Sequence, residues 1–163
     1  MERVVLGLGS NIGIRQTQLR KALKEISLIK GINILAVSSF YETEPWGLTH
    51  QRNFLNCAAV CLCKLEPEVL LSALRAIERK LGRRSRSKWA PREIDIDILL
   101  FGSKVLKTGG IEIPHPRLTE RNFVLVPMNE LVPQMFHPVL KKRISELLKS
   151  SPDKCKTKTL IER

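Results

Sequence analysis

With 163 residues, 43% of them hydrophobic and 27% charged, the chain suffices for one well-cored domain, expected to span 1–163, and is too short for two comfortable ones. No apolar run approaches the ~20 residues of a membrane span, and Met1-Glu2-Arg3 ahead of Val4-Val5-Leu6 lacks the regions of a signal peptide, so a cytoplasmic protein is expected. The net charge of +12 favours an anionic partner, nucleic acid or nucleotide, without choosing between them; the lysines of 150–163 read as a solvated, frayed tail.

Arg3 to Leu8 reads as a strand, and Gly9-Ser10-Asn11-Ile12-Gly13 as the turn leaving it. Leu19, Ala22, Leu23, Ile26 and Ile29 recur at helical spacing, with Gly31 as the expected C-terminal cap. Ile32 to Tyr41, rich in β-branched and aromatic residues, is predicted to be one strand ending in the loop Thr43-Glu44-Pro45-Trp46-Gly47. In the next strand, Phe54 to Cys63, both faces are mostly small or apolar, so the sheet needs helices above and below. Cys57, Cys61 and Cys63 share one of those faces; with no Cys-x-x-Cys pair and no nearby histidine they read as buried apolar residues with reduced thiols.

Pro67 opens a second helix striped by Leu70, Leu74, Ile77 and Leu81. A basic segment follows, Gly82-Arg83-Arg84-Ser85-Arg86-Ser87-Lys88-Trp89, then a strand. Val105 to Lys107 with Ile111 to Ile113 predict a hairpin, and Phe123 to Leu131 and Lys141 to Lys149 predict helices. The order β-α-β-β-α-β predicts an α+β, ferredoxin-like core: a mostly antiparallel sheet with helices on both faces in three αβα layers, plus the hairpin and C-terminal helices.

The chemistry concentrates in Pro91-Arg92-Glu93-Ile94-Asp95-Ile96-Asp97-Ile98-Leu99-Leu100. Side chains alternate along a strand, which puts Asp95 and Asp97 on one face and Ile94, Ile96, Ile98 and Leu100 on the other. Two carboxylates so placed repel unless a cation lies between them, and a hard divalent cation takes such ligands together with phosphate and water. An acid pair on a solvated strand face is the plainer reading. The adjoining cluster of Arg83, Arg86, Lys88 and Arg92 suits a polyphosphate and favours Mg-assisted nucleotide chemistry. Asn56, inside an apolar strand, needs a partner, because an unpaired buried amide costs about 1–3 kcal/mol. Phe54 and Phe123 read from sequence as core residues. Glu78 reads equally as a surface salt-bridge residue, and His115, between Pro114 and Pro116, equally as structural.

The chain resembles the 6-hydroxymethyl-7,8-dihydropterin pyrophosphokinase family. The resemblance covers nearly the whole chain and rests on Gly9-Ser10-Asn11, on Ser38-Ser39-Phe40-Tyr41-Glu42-Thr43-Glu44-Pro45-Trp46-Gly47, on Phe54-Leu55-Asn56, on Pro91-Arg92 with Asp95-Ile96-Asp97-Ile98, and on Ile113-Pro114-His115-Pro116 with Arg121-Asn122-Phe123. It implies transfer of diphosphate from ATP to the hydroxymethyl group of a pterin, releasing AMP. Asp95 and Asp97 would hold two Mg ions, with Arg83, Arg92 and Asp97 as catalytic residues. Glu78, Arg83, Arg86, Lys88, Trp89, Arg92, Ile98, His115 and Arg121 would bind ATP. Thr43, Pro45, Trp46, Phe54, Asn56 and Phe123 would bind the pterin. The implied partners are these two substrates, with no nucleic acid and no membrane, and the chain is expected to be a monomer. Glu93 stands where a threonine is common in the family, and Arg75 where a polar uncharged residue is.

Two other readings remain open at this level. A nucleotidyl transferase would keep the acids and release pyrophosphate. A ferredoxin-like RNA-binding module would use the positive charge, although two Trp, one Tyr and five Phe give little for base stacking.

Overall fold

A computed structural model describes residues 1–45, 50–84 and 91–160. The elements run β1 (Glu2–Ser10), α1 (Arg15–Ser27), β2 (Ile32–Val37), β3 (Tyr41–Thr43), β4 (Phe54–Cys63), α2 (Pro67–Lys80), β5 (Asp95–Phe101), β6 (Leu106–Thr108), β7 (Ile111–Ile113), α3 (Asn122–Leu131), α4 (Ile144–Lys149) and β8 (Thr157–Thr159), with a 3-10 turn over Leu118–Glu120. The sheet has the order β5-β1-β4-β3-β8, and β2 pairs with the other half of β4. Every pairing in it is antiparallel, and β6 and β7 form the separate hairpin. This is the ferredoxin-like α+β arrangement that the element order predicted.

The two apolar faces of β4 explain the three layers. Leu55, Cys57, Ala59, Cys61 and Cys63 pack with Leu19, Ala22 and Ile26 of α1 and Leu70, Leu74 and Ile77 of α2. Ala58 and Val60, on the other face, pack with Leu125 and Met128 of α3 and Ile144 and Leu147 of α4. The cysteines are free thiols; burial pushes Cys57 and Cys61 up to about 12, so these two are inert hydrophobes.

The structure departs from the sequence reading at several points. β1 runs on through Gly9 and Ser10, both expected in a turn, because their backbones still pair with Asn56 and Leu55 of β4. The single strand expected over 32–41 is broken. At Ser38 the hydroxyl accepts the Ala58 N–H (2.9 Å), taking the place of a ladder carbonyl, and the chain re-enters the sheet as β3. Leu100 lies with Val5 in the α3/α4 core, not with Ile96 and Ile98. The register slips between Val5 and Leu6, so Leu99 is an extra residue that reverses the alternation. α1 ends at Ser27 with Leu28 as its cap, and Gly31 (φ 95°) serves the turn into β2 instead. α4 begins only at Ile144, where the Glu146 carboxylate accepts the Arg143 N–H at 2.7 Å. Of the segment read as a frayed tail, residues 157–159 form β8 along β3. Among the described residues, no helix is long and apolar enough to cross a membrane.

Candidate active site

One row of residues across three strands organises the site. Gly9 of β1 lies opposite Asn56 of β4 on one side and Asp95 of β5 on the other; Gly7 lies opposite Asp97. Neighbouring strands are about 4.8 Å apart, so the amide and the first acid stand roughly 10 Å from each other across a glycine floor. The floor has to be bare. A Cβ on Gly9 would come within 2.7 Å of Asn56 Oδ1, and one on Gly7 within 3.1 Å of a Leu99 methyl. A glycine inside a strand is the sequence sign of such a close approach, and Gly7 and Gly9 both carry it.

Above this floor lies a cavity of about 360 Å3, within the size range of small-molecule sites. Thr43, Phe54, Asn56 and Phe123 line one end; Arg92, Asp95, Asp97, His115 and Arg121 line the other. Phe54 and Phe123 are therefore wall residues, only half-buried, rather than core. Asn56 is 5% exposed and finds the partner its burial demands: its Nδ2 donates to Thr43 Oγ1 at 2.8 Å. Sequence reasoning missed Arg117, which adds a further cation to the wall, and Glu44. Pro45 is not among the lining residues, and Trp46, Arg86, Lys88 and Trp89 lie outside the described residues.

The acid end is crowded with charge. Arg92 donates to Asp95 Oδ2 (2.9 Å), while Arg83 bridges Asp95 Oδ1 (2.9 Å) and Glu78. Glu78 is 4% exposed and lies behind the acids, lining neither this cavity nor its neighbour; the surface role is thereby excluded. Its Oε1 accepts the Ile96 N–H at 2.7 Å. Burial raises the Glu78 pKa, against the pull of that N–H and of Arg83. Burial works against the Arg83 charge, but Asp95 and Glu78 outweigh it and hold its pKa above the usual value.

Asp97 bears the consequence. Its side chain stays 45% exposed to the cavity, yet the enclosing walls, then Asp95 and Glu78, push its carboxyl up to about 7. Asp97 is thus short of positive charge where Asp95 is not. A cation between the two would relieve that deficit. Among the described residues, no group of three or more His, Cys, Asp or Glu could hold a metal by itself. Two carboxylates on one open face fit magnesium, which keeps most of its shell for phosphate and water.

His115 is neutral: burial, then the Arg121 charge, pull it down to about 4. Its Nδ1 accepts the Arg117 N–H (3.2 Å), leaving Nε2–H as a donor 4.0 Å from Asp97 Oδ2, so the contact is not an ion pair. Arg121 stacks over the Phe123 ring at 5.4 Å, and burial followed by Arg117 lowers its pKa. Beyond Asp97 and His115 a cleft of about 580 Å3 continues between α2 and the β6–β7 hairpin, lined by Leu71, Arg75, Ile98 and Lys107.

The model of the family described as 7,8-dihydro-6-hydroxymethylpterin-pyrophosphokinase matches residues 5–133. A 2-amino-4-hydroxy-6-hydroxymethyldihydropteridine pyrophosphokinase from Aquifex aeolicus is 40% identical over 146 residues, 90% of each chain, and one from Bacillus subtilis is 42% identical over 130 residues, 80% of this chain and 78% of that one. A mitochondrial folate synthesis bifunctional protein from Arabidopsis thaliana is 44% identical over 131 residues, which are 79% of this chain and 23% of that protein. Among solved structures, Plasmodium falciparum HPPK-DHPS with pteroate superposes with a TM-score of 0.75 at 16% identity, over 91% of this chain and 42% of that one. The A437G form of the same protein gives 0.72 at 17% identity, so the chain spans less than half of these bifunctional proteins and shares the fold of one part. The chain belongs to the 7,8-dihydro-6-hydroxymethylpterin-pyrophosphokinase family.

Proposed function

We propose that the cavity carries diphosphate from ATP to the hydroxymethyl group of 6-hydroxymethyl-7,8-dihydropterin, giving AMP and the pterin diphosphate, the pyrophosphokinase step of folate synthesis. One observation carries this reading: an aromatic-amide slot and a pair of acids face each other across the bare Gly7–Gly9 floor, in one cavity.

The residues divide the work. Phe54 and Phe123 offer area to a flat ring, and Asn56, braced by Thr43, offers a donor and an acceptor that orient it. This places the hydroxymethyl group toward the acid end. Asp95 and Asp97 would hold magnesium, two ions in this reading; bound there, magnesium neutralises phosphate oxygens and makes the β-phosphorus accessible to the hydroxyl. Arg92, Arg121 and Arg117 present fixed positive charge to the same oxygens, and His115 presents its Nε2–H. Arg83, paired with Asp95 and Glu78, would add its charge to the same end of the site. The nucleoside end extends into the cleft beside Ile98 and Arg75. In this reading Pro45 and Trp46 also serve the pterin, and Arg86, Lys88 and Trp89 the ATP phosphates and nucleoside. The reading takes the enzyme as a cytoplasmic monomer that uses no nucleic acid, in keeping with its free cysteines.

Chromatography of a reaction holding the protein, ATP, magnesium and the hydroxymethyl-dihydropterin tests it. AMP and a pterin diphosphate in equal amounts are expected. ADP would exclude diphosphate transfer, and pyrophosphate would favour a nucleotidyl transferase.

A further inference from the structure

α3 begins with the two residues that shape the far wall of the cavity, Arg121 and Phe123, yet it lacks the usual means of fixing its first turn. Arg121, at the N-cap position, makes no side-chain cap, and the first turn carries no acidic residue. The missing group arrives from 31 positions downstream. Asp153 Oδ2 accepts the Asn122 N–H at 2.7 Å, and the Asp153 carbonyl accepts from Asn122 Nδ2 at 3.0 Å. A carboxylate on a free N–H at a helix start is a charge-assisted bond aligned with the helix dipole. Asp153 is itself aimed: its other oxygen accepts the Cys155 N–H at 2.8 Å.

The chain that carries Asp153 then runs to the opposite wall. Thr157, Lys158 and Thr159 pair with Thr43, Glu42 and Tyr41, and the Leu160 N–H reaches the Phe40 carbonyl at 2.7 Å. Residues 153–160 therefore tie the strand that carries Thr43 to the turn that carries Phe123. The other end of α3 has its own anchor, since Glu130 accepts from the Tyr41 hydroxyl (2.6 Å) and the Ser39 N–H (3.0 Å). Loss of the tail contact would thus release the first turn of α3 and leave the rest packed.

We propose that Asp153 is a positioning residue for the pterin end of the site, acting through Asn122 to hold Phe123 at a fixed distance from Thr43 and Asn56. The residue lies in a tail beyond the stretch that the family model matches, 5–133. The inference rests on reading this cavity as a pterin site.

The test is calorimetric titration of 6-hydroxymethylpterin into the full-length protein holding magnesium and α,β-methylene-ATP, whose bridge cannot be cleaved. Asp153→Ala is expected to weaken pterin binding about fivefold and nucleotide binding, which Arg121 shares with Arg92 and Arg117, by less than about twofold, while the lost helix-start contact lowers the melting temperature by a few degrees. Asp153→Asn, which keeps an acceptor oxygen, is expected to recover most of the loss. Pterin affinity in Asp153→Ala within twofold of wild type would overturn the proposal. So would equal falls of the pterin and nucleotide affinities, which a general structural role produces. A wild-type protein that binds no pterin would overturn the reading of the site, and this inference with it.

Discussion

Asn11 and Arg92, 81 positions apart, hold each other by the backbone: the Asn11 N–H donates to the Arg92 carbonyl (3.1 Å), and Asn11 Oδ1 accepts the Arg92 N–H (2.8 Å). The same Asn11 donates through Nδ2 to Gln51 Oε1 at 2.9 Å and is 2% exposed. One buried amide thus joins Gln51, shortly before β4, to the residue that enters the Asp strand. Asn11→Ala is expected to cost about 1–3 kcal/mol in urea unfolding and to lower kcat, because Arg92 loses its anchor. Asn11→Asp, which retains the acceptor, should cost less. Equal effects of the two variants would contradict the linkage.

Gly9→Ala tests the floor. The added methyl would lie 2.7 Å from Asn56 Oδ1, so the amide must move or the strands must part. A stability loss of about 1–3 kcal/mol is expected, with a pterin KM raised more than the ATP KM. An unchanged pterin KM would show that the row is not a binding surface.

Asp97→Asn should separate function from stability. The neutral amide removes repulsion from Asp95 and Glu78, so thermal melts without metal are expected to show a variant at least as stable as wild type, with no turnover. Magnesium with nucleotide should raise the melting temperature of wild type and not of the variant. Wild-type turnover in the variant would remove Asp97 from the site.

The Asp face was legible because a period of two needs no knowledge of the partner strand: Asp95 and Asp97 do share a face, and Ile96 and Ile98 the opposite one. The stripe of α2 was legible for the same reason. Leu100 was misplaced because the bulge at Leu99 arises between strands, where neither sequence alone marks it. The break at Ser38 depends on a hydroxyl reaching β4, and β8 on a lysine-bearing segment finding an open edge at β3. Each is a long-range event. Glu78 read equally well as a surface residue because only the folded chain reveals Arg83 and the Ile96 N–H around it.

His137 adds to the acid sensitivity of the fold. It is 7% exposed, and its Nδ1 accepts the Val139 and Leu140 N–H groups at 3.3 and 3.2 Å, so burial lowers its pKa below the ordinary 6.5. The unfolded chain takes up a proton here that the folded chain refuses; the contribution of His137 to stability is therefore complete above pH 6.5 and falls as the pH drops from 6.5 toward the folded-state value. In urea unfolding at pH 7.5, 6.5 and 5.5, His137→Asn should lose less on acidification than wild type. Parallel losses would show that His137 contributes nothing to the acid sensitivity.

The central claim is best tested by a crystal structure of the protein with magnesium, α,β-methylene-ATP and 6-hydroxymethylpterin. The account predicts Asp95 and Asp97 oxygens about 2.1 Å from magnesium under the triphosphate, with the pterin ring between Phe54 and Phe123. Asp95 still paired with Arg83 and Arg92, Asp97 without metal and the nucleotide bound elsewhere would contradict it.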